Sequence, residues 1–246
     1  DGSLGARTAY MRKPYADDPS TQGIPLFTED SLYALTRISH AAGFPIAAHA
    51  IGDGALEMLL NTVERLQKEA PRKDARHGVV HCQITDQAQL ARIAQLNMQA
   101  YIQPIFVKAD QHITEERVGA ALAQTSYAWK TLRALGIHAS GGSDCPVEPF
   151  DLLPNLACAI TRKDPTVPGA QPWHAEQCLT VEEAVRCFTE EAAYASFEEN
   201  DRGTLSVGKL ADFAVLSRDI FTIAPDEIGA TKVEMTVVDG EIAWEK

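Results

Sequence analysis

Apolar positions along this chain recur first at helical and then at strand spacing, and the two periods alternate. Leu32, Leu35, Ile38 and Ala42 fall three or four apart, with Thr28 as a cap and Gly43 as a stop, which predicts a helix over 29–42. The run from Phe44 to His49 then reads as a short buried strand. Gly52 permits a sharp turn, and Asp53 can cap a second helix whose stripe is Leu56, Leu59, Leu60 and Val63. The cycle continues with a strand over 76–82, a helix over 86–96, a strand over 98–104, a helix over 126–135 and a strand over 137–142. Residues up to Arg117 after the third of these strands read as an irregular surface excursion. Strands and helices alternating over short connections predict a parallel sheet. Two further helices are expected over 151–162 and 180–194. From Gly203 the period changes: 211–216 and 233–244 read as strands, the latter folded at Asp239-Gly240 into a hairpin.

Three of the predicted parallel strands finish in a residue that can bind metal: His49, His81 and Asp144. The carboxyl ends of such strands carry the active site in barrels of this alternating kind. Imidazole and carboxylate together suit zinc with positions left open for water, and such a metal lowers the pKa of its water toward ~7. Asp144 could take the proton of that water and return it to a leaving group. Either histidine alone would more often be a hydrogen-bonded core residue, so it is their common placement that carries weight.

His77 lies four residues before His81, roughly 13 Å along a strand, so both cannot bind one ion. His77 is expected to be structural, as are His40 on a helix surface and His138 at the far end of its strand. His112 and His174 sit in loops that could reach the mouth. Arg7, Tyr10, Gln103 and His174 are candidate substrate contacts on mouth loops or a strand end, with bracing of those loops as the equal alternative. Cys82 and Cys145 neighbour the proposed ligands without an adjacent base and read as packing residues.

Composition narrows the partners. With 246 residues, 45% of them hydrophobic, the chain can bury a substantial core. Its 22 basic against 34 acidic residues give a net charge of -12, which disfavours nucleic acid. No run approaches the roughly 18 apolar residues of a membrane span. Five cysteines without a CxxC pair favour a reducing, cytoplasmic compartment. The expected partner is a small-molecule substrate.

Asp1-Gly2-Ser3-Leu4-Gly5-Ala6-Arg7-Thr8-Ala9, His49-Ala50-Ile51-Gly52-Asp53, His81-Cys82-Gln83, Gly142-Ser143-Asp144-Cys145-Pro146-Val147-Glu148-Pro149 and Gly208-Lys209-Leu210-Ala211-Asp212 stand in this order along the chain. Together they resemble the YtcJ-like, or amidohydrolase 3, branch of the metal-dependent amidohydrolase superfamily, which includes N-substituted formamide deformylases. The resemblance implies an α/β fold, part of a (β/α)8 TIM barrel (about strands 5 to 8) over 1–200 with part of a small β-sandwich over 201–246. It implies hydrolysis of non-peptide carbon-nitrogen bonds with a divalent metal, zinc in the full-length enzyme. His49 and His81 would be the metal-binding histidines of the fifth and sixth strands, and Asp144 the eighth-strand aspartate, both metal contact and general base.

Members of that branch also carry an HxH pair on the first strand and usually a bridging lysine on the fourth, neither of which occurs here. The chain therefore reads as the carboxyl-terminal portion of a longer enzyme, with metal weakly held or absent and little activity by itself. Half a barrel exposes strand edges and an apolar face, so self-association or a missing amino-terminal segment is expected. A non-catalytic assembly module and a metal-dependent esterase or lactonase are the alternative readings.

Overall fold

A computed structural model describes residues 1–246. In chain order the main elements are α1 (Glu29–Ala41), β1 (Ala47–Ala50), α2 (Asp53–Glu69), β2 (Gly78–His81), α3 (Gln87–Gln95), β3 (Gln99–Ile102), α4 (Val107–Asp110), α5 (Thr114–Val118), α6 (Ala120–Ala123), α7 (Trp129–Ala134), β4 (Ala139–Gly141), α8 (Leu152–Thr161), α9 (Val181–Phe188), α10 (Glu190–Ala195), β5 (Phe213–Leu216), β6 (Val233–Val238) and β7 (Glu241–Glu245). They form two compact units: Asp1–Ile102 with Ala109–His138, and Gln103–Lys108 with Ala139–Lys246.

In the first unit β1, β2 and β3 run parallel, with Ala47 opposite Gly78, Ala50 opposite His81 and Gly78 opposite Gln99. Local chemistry sets the helix starts. Thr28 and Ser31 form a reciprocal cap on α1, and Asp86 and Gln89 do the same on α3. The predicted stripe of α2 is buried: Leu56, Leu59, Leu60 and Val63 are at most 1% exposed, as are Val79, Leu90, Ile93 and Ala100. Burial of each such leucine or valine is worth about 1.5–3 kcal/mol.

The first helix departs from its pattern. Its buried residues are Tyr33, Thr36 and His40, whereas Leu35 is 54% and Ile38 67% exposed. The inner face tolerates polar groups because each has a partner. Thr36 Oγ1 donates to the Leu32 carbonyl at 2.7 Å, Tyr33 pairs with Glu69, and His40 meets His77 at 2.8 Å. His40 is thus a core residue rather than a surface one, while His77 has the structural place expected of it. Strand β1 is not the buried strand expected: it lies at a sheet edge, with Ala47 and His49 exposed and Phe44 before it 65% exposed. The stretch after β3 is no surface excursion: it winds into short helices that bury Pro104, Ile105, Val107 and Thr114.

In the second unit α8 is capped by Asp151, whose Oδ1 accepts from Leu153 N at 3.1 Å, and the predicted helix over 180–194 is two, broken at Thr189 (φ -129°, ψ -84°). Strands β5, β6 and β7 form an antiparallel sheet in that order. Asp239 (φ 50°) and Gly240 (φ 80°) make its tight turn, as the hairpin signal requires. Phe213, Val215, Ile242 and Trp244 of this sheet remain exposed. No helix is long and apolar enough to cross a membrane.

Candidate active site around His49 and His81

Adjacent parallel strands deliver the two histidines. His49 is the third residue of β1 and His81 the last of β2, and their rings meet edge to face, with centroids 4.5 Å apart and planes at 72°. His81 is buried (4% exposed), while 42% of the His49 side chain is accessible. The backbone turns sharply here. His81 (φ 72°) and Cys82 (φ 49°) are consecutive left-handed residues, each costing about 1–2 kcal/mol for a side chain other than glycine. Burial pushes the Cys82 thiol up to about 12, so it remains a protonated packing group.

A residue without an assigned role in the sequence reading holds His49 in place. The buried carboxylate of Asp1 accepts from His49 Nδ1 at 2.9 Å and Ile51 N at 3.1 Å through Oδ1. Its Oδ2 accepts from Gly52 N at 2.8 Å and Tyr10 N at 3.0 Å. A carboxylate only accepts, so the neutral ring carries its proton on Nδ1 and presents its lone pair on Nε2. This is the arrangement by which a carboxylate orients a metal-binding histidine.

The same amino-terminal segment caps α2. The carbonyl of Tyr10 accepts from Gly54 N at 3.0 Å and Ala55 N at 3.1 Å. Gly52, rather than Asp53, occupies the cap position, and its φ of -77° is ordinary. Its hydrogen side chain is required for another reason: a Cβ there would lie 2.0 Å from the Tyr10 oxygen. Asp53 instead accepts from Arg12 N at 2.9 Å and Arg12 Nε at 2.7 Å, which locks the segment onto the helix.

Tyr10 and His49 line a cleft of about 580 Å³ whose other walls include Leu26, Phe27, Leu35 and Met58. Arg7 forms a bidentate pair with Asp17 at 3.1 and 2.6 Å, and Arg117 joins the same carboxylate. Hydrogen bonding from Arg7 and the charge of Arg117 hold the Asp17 carboxyl down at about 2. Arg7 is thereby tied to Asp17 and, through it, to Arg117.

The remaining candidates belong to the second unit. Gln103 follows β3, is 5% exposed, and its Oε1 is a buried acceptor without a protein donor. Asp144 lies three residues beyond β4 rather than at the strand's end, exposed and left-handed with φ 61°. The His174 ring packs on Trp173 with centroids 4.5 Å apart, and its Nδ1 lies 3.5 Å from Glu176. Arg162, fully buried, donates from Nε to the Trp173 carbonyl at 2.7 Å and so fixes that loop. The structure therefore brings His49 against His81 ring to ring and ties His49 to the Tyr10 backbone through Asp1. No group of three or more His, Cys, Asp or Glu side chains stands arranged to hold a metal ion.

The amidohydrolase family, Amidohydro_3, matches residues 1–243. The chain belongs to the amidohydrolase family. It is 38% identical over 247 residues to YtcJ of Bacillus subtilis (strain 168), covering 100% of this chain and 46% of YtcJ. It is 24% identical over 225 residues to the N-substituted formamide deformylase of Arthrobacter pascens, covering 91% of this chain and 41% of the deformylase. Among solved structures, an uncharacterized metal-dependent hydrolase from Pyrococcus horikoshii OT3 superposes with a TM-score of 0.80 at 30% identity, over 92% of this chain and 44% of that one. Another from Pyrococcus furiosus gives 0.73 at 30% identity, over 85% and 41%. The chain spans less than half the length of these relatives. This amidohydrolase chain has an α/β fold in which parallel strands and helices form part of a (β/α)8 barrel, accompanied by a small antiparallel sheet.

Proposed function

We propose that this chain is part of a metal-dependent hydrolase acting on non-peptide carbon-nitrogen bonds, of the amide, formamide or cyclic imide type. The observation that carries the reading is the edge-to-face pair of His49 and His81 on neighbouring strands, one ring fixed by a buried carboxylate. Family membership supports hydrolysis, and the name of the Arthrobacter pascens relative supports the bond type.

The donor chemistry fits a divalent cation, zinc above all, which when bound would supply Lewis acidity to polarise a carbonyl and acidify water. His49 through Nε2 and His81 would supply two of its donors. Asp144, carried over from the family motif, would accept the proton of the attacking water and pass it to the leaving nitrogen. Gln103 offers its buried Oε1 to a substrate N–H. Tyr10 forms a wall of the cleft, and Arg7 and His174 hold the surrounding loops. Further ligands, and cover for the exposed stripe of α1 and the edge of β1, would come from an amino-terminal segment or a second copy. Activity of these 246 residues alone is expected to be low, in a cytoplasmic setting.

The test is a screen of formamides and cyclic imides against lactones with the full-length polypeptide, before and after chelation. Turnover of the nitrogen substrates, abolished by a chelator and lowered at least about 100-fold by Asp144→Asn, is expected. Faster turnover of lactones, or an unimpaired Asp144→Asn variant, would overturn the reading. The two-imidazole set favours one second reading, a non-catalytic assembly module, which predicts no turnover of either class.

A further inference from the structure

Immediately beyond the left-handed pair His81-Cys82, the chain is fastened with unusual density. Gln83 is buried (1% exposed), its Nε2 donates to Asp110 Oδ2 at 3.0 Å, and its carbonyl accepts from Tyr127 N at 2.9 Å. Tyr127 Oη donates to the same Asp110 oxygen at 2.7 Å. The next amide, Ile84 N, donates to the Ile51 carbonyl at 2.9 Å, which ties this turn to the one after His49. Thr85 and Thr125 then close reciprocally, with Thr85 Oγ1 donating to the Thr125 carbonyl at 2.7 Å. None of these groups enters the chemistry assigned above. A backbone held in a sparsely populated region persists only where its surroundings over-determine it, and here the over-determination converges on one oxygen of Asp110.

We propose that Asp110, together with Tyr127 and Gln83, is the positioning device for His81: it holds the left-handed turn that sets the His81 ring against the ring of His49. The proposal rests on the hydrolase reading for the importance of His81, and on the geometry alone for how His81 is held. Because both donors meet Oδ2, the device needs an acceptor at that point and not a charge, so asparagine, with Oδ1 in that place, can replace the aspartate.

The experiment is proton NMR of the histidine rings in this chain, reading the cross-relaxation between His49 and His81, with the His40 and His77 pair as internal control. In Asp110→Ala the His49–His81 signal is expected to fall roughly fivefold as the ring leaves its rotamer, with the control pair unchanged, and Asp110→Asn is expected to restore it. A folded Asp110→Ala variant with the signal at full strength, or an Asp110→Asn variant no better than alanine, would overturn the proposal. Should Asp110→Ala fail to fold, Tyr127→Phe removes one donor and keeps the ring. Displaced His81 resonances with His77 unmoved support the device, and unmoved His81 resonances refute it. The measurement needs no metal and no substrate, so failure of the hydrolase reading shows up separately, as absent turnover.

Discussion

Asp1 and His49, 48 residues apart in sequence, are joined by a 2.9 Å hydrogen bond from the imidazole Nδ1 to a carboxylate that also accepts three backbone amides. The bond fixes both the ring's direction and its tautomer. Asp1→Ala would leave three amides and one imidazole N–H without their acceptor, at a cost of about 3 kcal/mol. Urea denaturation should show that loss, with Asp1→Asn intermediate. Nitrogen-15 NMR should find His49 protonated at Nδ1 in the parent and mixed between tautomers in the alanine variant.

His77 makes the fold acid-sensitive. Ile46 N donates to His77 Nδ1 at 3.0 Å, so the proton of the neutral ring is on Nε2, which donates to His40 Nδ1 at 2.8 Å; His40 Nε2 then donates to the Ala70 carbonyl at 2.7 Å. A further proton on His77 has no acceptor. Burial, followed by the neighbouring His40 and Arg72, pushes its pKa from 6.5 down to about 4. The unfolded chain therefore binds a proton that the folded chain refuses, and stability falls as pH drops from 6.5 toward 4, by about 3 kcal/mol in all. Urea midpoints between pH 7 and 4.5 should trace that decline, and His77→Gln should flatten it.

Gly52 and Gly43 separate two reasons for glycine. Gly52→Ala places a Cβ 2.0 Å from the Tyr10 oxygen at an ordinary φ of -77°, so the amino-terminal segment must move off α2. A loss of about 3 kcal/mol is expected, together with proteolytic exposure of residues 1–23. Gly43→Ala meets no atom within 4 Å, yet has φ 89°, and should cost only about 1 kcal/mol. Equal losses at both sites would contradict the close-approach account.

The outward stripe of α1 should govern assembly. Leu35 and Ile38, 54% and 67% exposed, stand on the same unit as Leu26 at 68% and Phe44 at 65%. Sedimentation at micromolar concentration is expected to show self-association of the parent chain, and Leu35→Lys with Ile38→Lys to return it to monomer. A monomeric parent would remove the argument for a covering partner.

Local chemistry was legible in the sequence where it is self-contained. Thr28 caps its helix with a partner three residues away, and Asp239-Gly240 turns its hairpin without help from elsewhere. The strand-helix alternation was legible for the same reason. What escaped depends on distant partners. Nothing near Asp1 announces that its carboxylate will meet amides 50 residues away, and nothing in Tyr33, Thr36 and His40 shows that each will find a hydrogen bond and so take the inner face of α1 from the leucines. The break at Thr189 and the place of Asp144 beyond β4 likewise left no mark in the periodicity.

The cap on α2 bears on which molecules this rim can admit. A helix start beside a reactive imidazole would ordinarily offer bare amides and a positive pole to phosphate or carboxylate guests. Here the oxygens of Tyr10 and Asp1 already occupy the amides of Gly52, Gly54 and Ala55. An anionic guest would meet resident acceptors there, so this helix start has no open amides left for an anion.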